Sequence, residues 1–138
     1  MEVVDTPAAL ALSLPDERHE VSEALGRSIH DCTLIVPRLW HYEIANALLV
    51  SLRRGRIQEQ ELPPILAALR QLNARTLDGS LDIAQLLALA RTAGISAYDA
   101  SYLEIAVSRG TALATLDKKL RNAAKAANVT LIPPMNET

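Results

Sequence analysis

The chain contains no phenylalanine, and its aromatic side chains are only Trp40, Tyr42, Tyr98 and Tyr102. Its core must therefore be built from Leu, Ile, Val and Ala. Cysteine occurs once, at Cys32, which excludes an intrachain disulfide and fits a reducing, cytoplasmic setting. Neither sign of charge is in large excess: 14 basic residues face 16 acidic ones, for a net charge of −2 and a pI near 5.9. That balance excludes nucleic-acid binding through overall charge, so any such contact must use local basic patches. No apolar run approaches the length of a membrane span. The opening MEVVDTPAALALSLPDE lacks a basic start and is broken by Pro7 and Pro15, unlike a signal peptide. Repeats, low-complexity segments and linkers are absent too.

What is present is a 138-residue chain, 49% hydrophobic, which suits one compact domain over 1–138 with a real core. Short β-branched runs alternate with longer helical patterns. Strands are expected at about 2–5, 33–36, 75–77, 112–116 and 129–132, the second closed by Pro37 and the last by Pro133 and Pro134. Helical patterns fall at about 17–30, 38–54, 58–73, 80–94, 97–109 and 117–127. Gly55, Gly94 and Gly110 sit where helices should stop. Such alternation predicts an α/β domain whose parallel sheet is covered by helices on both faces. The near-continuous apolar content of the strands agrees, because parallel strands are buried on both sides.

In such sheets sites form beyond the carboxyl ends of the strands, where strand order switches. Four acidic residues fall at that edge. Asp5 ends the first strand, Asp117 follows the fourth, Asp99 opens the helix leading into the fourth, and Glu43 lies in the helix after the second. Each has a plainer use. Asp5 can help start a helix in which Thr6 and Pro7 resemble an N-cap and a first-position proline. Asp117 is a good N-cap, and Asp99 stands at capping-box distance from Ser96. Yet Glu43 borders an apolar stripe with Leu39, Trp40, Ile44 and Ala47, and Asp99 has Ile95, Tyr102 and Leu103 at helical spacing. A buried carboxylate is costly unless paired or bound to metal. No Lys or Arg lies within a helical turn of Asp99, and Arg38 is poorly spaced from Glu43. Oxygen donors gathered without a base suit Mg²⁺ or Mn²⁺.

These segments resemble the PIN-domain nucleases, and within them the VapC-type toxins of toxin–antitoxin pairs. VVDTPAALALSLPDE is similar to the family's first strand with Asp5. WHYEIANALL is similar to the helix that carries the second acid, Glu43. GISAYDASYLEIAVSRG is the most specific match and supplies Asp99, and TALATLDKKLRNAAKAANV supplies Asp117. The middle, about 55–94, carries little of the likeness. The sequence departs from the pattern at Pro7, where the family often has a small hydroxyl residue; Thr6 stands beside it. Thr115 matches a polar position often found at the family's active site.

The resemblance implies a PIN-like three-layer α/β/α fold with a central, mainly parallel sheet of about five strands. It implies a Mg²⁺-dependent endoribonuclease, with Mn²⁺ able to substitute, that leaves a 5′-phosphate and a 3′-hydroxyl. Asp5, Asp99 and Asp117 are then metal ligands, Glu43 a ligand or a group orienting the attacking water, and Thr115 a further active-site residue. RNA is the implied substrate, a cognate antitoxin and a second copy of the chain the implied partners. Arg53, Arg54 and Arg56, and Lys118, Lys119, Arg121 and Lys125, are the local basic groups that can steer RNA. Leu39, Trp40 and the leucines of ALALSL are candidates for an apolar groove or dimer face. A catalytically silent PIN domain that binds protein or RNA is the alternative. A metal-free reaction would need His19, His30 or His41, of which the first two read as surface residues. A receiver-like domain using Asp78 and Lys118 is disfavoured, since Thr6 stands where the second acid of its acidic pair belongs.

Overall fold

The computed structural model describes residues 1–14, 26 and 32–134. The helix expected at about 17–30, with His19 and His30, lies outside the described residues, Gly26 aside. Five strands form one sheet: β1 (Glu2–Val4), β2 (Leu34–Val36), β3 (Arg75–Thr76), β4 (Ala112–Ala114) and β5 (Leu131–Ile132). Their spatial order is β3, β2, β1, β4, β5, and every neighbouring pair is parallel. Val3, Val4, Ile35, Val36, Leu113 and Ala114 have no exposed surface, which is why these strands read as unbroken apolar runs. β3 is an edge strand and, unlike β5 at the other edge, is exposed, so its sequence signal is weak.

Six helices are described: α1 (Thr6–Ser13), α2 (Arg38–Arg53), α3 (Leu62–Gln71), α4 (Ile83–Ala93), α5 (Ala97–Arg109) and α6 (Lys118–Ala126). Among them none is long and apolar enough to cross a membrane. The chain runs outward from β1 through β2 to β3, then returns to the other side of β1 through β4 and β5. Right-handed crossovers place the helices of these two halves on opposite faces. The packing agrees: α1 lies against α2 and α3, whereas α5 lies against α4, α6, β1 and β4. The fold is thus the expected three-layer α/β/α arrangement, and its strand order switches between β1 and β4.

The helix ends follow local chemistry. α5 occupies the expected range, opened by Ser96 and closed by Gly110 at φ 63°. Gly94 ends α4 the same way at φ 69°, a left-handed conformation that glycine adopts without a Cβ penalty. The pattern at 58–73 divides into a 3₁₀ turn, Glu59–Glu61, and α3, because Pro63 and Pro64 are tolerated only in a first turn. The pattern at 80–94 starts later, at Ile83, because Asp82 and Gln85 form a capping box.

One loop is held by a buried acid. The Glu104 carboxylate, on α5, accepts from Ser80 N at 2.8 Å and Leu81 N at 3.3 Å. A Cβ at Gly79 would overlap the Glu104 carboxylate. Gly79→Ala therefore displaces a buried carboxylate from two donors, and the expected cost is about 2–3 kcal/mol of stability. Chemical denaturation measures it. If Gly79→Ala costs as much in a Glu104→Ala background as in the wild type, the assignment to Glu104 fails.

Candidate active site

The carboxyl ends of β1 and β4 carry the centre of the site. Asp5 leaves β1 with its N–H donating to Ala114 O at 3.2 Å, so the sheet itself fixes its backbone. It is 2% exposed. Oδ1 accepts from Ala8 N at 2.9 Å, and Oδ2 accepts from the Thr115 hydroxyl at 2.5 Å. Asp5, not Thr6, is thus the N-cap of α1, and Pro7 takes the second helical position. The carboxylate wins because it reaches the N–H three residues on while its own backbone is still extended.

Thr115 joins two of the acids. Its hydroxyl donates to Asp5 and accepts from Asp117 N at 3.1 Å. Asp117 in turn caps α6 through Leu120 N at 3.4 Å. Asp99 sits in the first turn of α5, where the Ser96 hydroxyl accepts from its N–H at 3.0 Å. Asp117 and Ser96 thus both serve as N-caps, as expected.

Glu43, about one and a half turns into α2, is held from two other elements. Its Oε1 accepts from the Tyr102 hydroxyl at 2.5 Å and from the Thr6 hydroxyl at 3.2 Å. Sequence reasoning placed Tyr102 only in an apolar stripe. The available signal was its spacing: three residues after Asp99, it faces the same way.

Several of these acids act on one another electrostatically. Burial first, then the charges of Asp99 and Asp117, push Asp5 up to about 6, against the opposing bonds from Thr115 and Ala8. Burial, Asp117 and Glu43 likewise raise Asp99. No cation is among these influences. Arg121, which follows Asp117 by one turn, does not neutralise them. Its guanidinium donates to Thr115 O at 2.7 Å and Pro133 O at 2.5 Å, tying the end of β4 to the chain beyond β5. Burial lowers its pKa. It is a structural clamp rather than part of a steering patch. Lys118, Lys119 and Lys125 on α6 are exposed, as are Arg53, Arg54 and Arg56 at the end of α2 and just beyond it.

The other expected residues fall away from this centre. His41 Nε2 pairs with the Thr76 hydroxyl at 2.8 Å, and its ring stands edge-on to Trp40. Asp78 accepts from Arg38 N at 2.8 Å, starting α2 where Pro37 offers no side-chain cap. Trp40, Ile44 and Leu48 line a groove of about 390 Å³ with Leu66 and Leu69 of α3. Leu10 and Leu12 pack partly buried against the core, and Leu14 is buried within it.

No three acidic, histidine or cysteine side chains among the described residues stand at the spacing of a formed metal cage. The donor chemistry nonetheless suits a hard divalent cation. The donors are oxygens on three separate elements, the charges of Asp99 and Asp117 push Asp5 up, those of Asp117 and Glu43 push Asp99 up, and the adjacent guanidinium is committed elsewhere.

A parallel α/β/α domain with acidic residues directly after the two strands that flank its topological switch point is the class that the fold defines. The family described as PIN domain matches residues 3–126. Ribonuclease VapC3 from Pyrobaculum aerophilum is 33% identical over 123 residues, covering 86% of this chain and 90% of that protein. The crystal structure of PAE2754 from the same organism superposes with a TM-score of 0.70 at 25% identity, over 96% of this chain and 83% of its own. The chain belongs to the PIN-domain family, and within it to the VapC type.

Proposed function

We propose that the protein is a divalent-metal-dependent endoribonuclease acting as the toxin of a toxin–antitoxin pair. What supports this reading is that the charges of Asp99 and Asp117 act on Asp5, which leaves β1 beside β4 at the switch point, and that those of Asp117 and Glu43 act on Asp99. The name of the VapC3 relative supports RNA as the substrate.

Asp5, Asp99 and Asp117 would hold the ion, Mg²⁺ or Mn²⁺, with Glu43 as a further ligand or as the group that orients the attacking water. When bound, such an ion neutralises charge on the scissile phosphate and acidifies water. The chain's own residues provide the rest. Thr115 fixes Asp5 through Oδ2 and the Asp117 backbone through its N–H, so two donors keep one relative position. The backbone of Asp5 is locked to β4, and that of Asp99 to the Ser96 cap. Lys118 and Lys119, exposed in the first turn of α6 directly after Asp117, can draw the phosphate backbone towards an acidic centre. Cations are unfavourable at a helix start, which supports a use beyond the helix itself. An antitoxin and a second copy of the chain are the partners this reading carries with it.

The purified chain, incubated with RNA in Mg²⁺ or Mn²⁺, should give fragments with 5′-phosphate and 3′-hydroxyl ends, and EDTA should stop the reaction. Expression of the chain alone should arrest growth. Cleavage that survives EDTA, or none with either metal, sinks the proposal.

A further inference from the structure

Glu43 is the one acid of the four whose carboxylate is gripped by hydroxyls from two other helices. The Glu43 Oε1, Thr6 Oγ1 and Tyr102 oxygen atoms form a triangle with sides of 2.5, 3.1 and 3.2 Å. Tyr102 is 1% exposed, so its ring is a fixed part of the core and its hydroxyl has little freedom. Its single proton is committed to Glu43. Thr6 is buried as well.

The location of the two hydroxyls matters. Thr6 directly follows Asp5, and Tyr102 lies one helical turn after Asp99. Glu43 is thus tied to the immediate neighbours of two proposed ligands, on α1 and α5, rather than left to the rotamers of its own α2 helix. A carboxylate on a three-bond side chain otherwise samples several orientations. Two donors on one oxygen fix both its position and the plane of the group.

We propose that Tyr102 and Thr6 are positioning residues for Glu43, holding Oε1 so that Oε2 alone is presented to the ion or to the attacking water. The inference rests on the nuclease reading and adds to it that Glu43 works through one oxygen. It also gives Thr6 a task that the departure at Pro7 leaves open: its hydroxyl faces Glu43, not Asp5.

The test uses Tyr102→Phe, which keeps the ring and removes one oxygen, and Thr6→Val, which keeps the shape and removes the hydroxyl. Glu43→Gln and the wild type are measured alongside, all as full chains with Mn²⁺ and RNA. Loss of a group that orients a metal-site carboxylate typically costs about 10–100-fold in activity or metal affinity. Tyr102→Phe should therefore lower kcat by roughly tenfold or more and raise the Mn²⁺ needed for half-maximal rate, with the KM for RNA nearly unchanged. Thr6→Val should do the same more weakly, and the double variant should fall short of the product of the two. A purely structural role would instead lower Tm and leave the kcat and metal dependence of the folded fraction untouched. That result overturns the inference, as does wild-type kcat in both single variants while Glu43→Gln is impaired. A wild-type chain inert towards RNA overturns the nuclease reading itself. If Tyr102→Phe fails to fold, Thr6→Val decides alone.

Discussion

Asp99→Asn is expected to lose roughly 10²–10³-fold in metal-dependent RNA cleavage while folding as the wild type does. The two halves of that expectation come from different atoms. The backbone N–H of Asp99 supplies the Ser96 cap, and asparagine keeps it. The carboxylate is only half-buried and is raised by burial, Asp117 and Glu43, so removing its charge relieves repulsion in the metal-free protein. A neutral side chain also gives up part of the favourable interaction of an acid with a helix start, about 0.3–1 kcal/mol. These effects oppose each other, and the Tm should move little. Activity has no such compensation, because an amide is a poor substitute for an anionic ligand. Asp99→Asn protein that melts normally and still cleaves at a third or more of the wild-type rate would remove Asp99 from the site.

The second large effect concerns stability and is centred on Asp5. Burial lifts this carboxyl from its ordinary 3.8 to about 6. As pH rises between those values the unfolded chain gives up the proton first. The folded state then binds more protons than the unfolded one, and stability falls with rising pH. Above about pH 6 both states are ionised and the loss is complete, on the order of 3 kcal/mol. Asp5→Asn has nothing to ionise. Asparagine also caps helices well and can meet both Ala8 N and the Thr115 hydroxyl. In EDTA at pH 7–8 it should therefore be the more stable protein by about 2–3 kcal/mol, an advantage that shrinks below pH 6 and is gone near pH 4. Adding Mn²⁺ should reverse the ranking, since binding to the folded state stabilises the wild type and not the variant. Denaturation curves at several pH values, with and without Mn²⁺, read all of this. A wild type that outlasts Asp5→Asn in EDTA at pH 8 would refute the account.

The layered architecture could be read from the sequence because it depends on local signals. Alternating apolar runs fixed the strands, and glycines at 55, 94 and 110 fixed three helix ends. The site was half legible for a related reason. Asp5 and Asp117 follow strands directly, so a parallel sheet brings them together whatever the side chains do. Their caps were legible too, although Asp5 took the position expected of Thr6. Side-chain contacts between distant elements left no periodic trace. Nothing in the spacing showed that Glu104 would hold the 79–81 loop or that Arg121 would turn inward to Thr115 and Pro133, and the spacing of Tyr102 from Asp99 gave its direction but not its partner, Glu43. Arg121 reads as one more cation beside Lys118 and Lys119 until its partners are seen. Tyr102 reads as core, which it is, apart from one oxygen.

The bond from Thr115 to Asp5 spans 110 residues. β1 also pairs with β4, so Asp5 has neither its hydroxyl donor nor its backbone acceptor until that strand arrives. During translation, at ~5–20 residues per second, the first carboxylate waits on the order of ten seconds for the rest of its centre. In a chain of this topology these partners of Asp5 both exist only once residue 115 has been synthesised. The order of synthesis therefore makes the setting of this carboxylate a late event in folding.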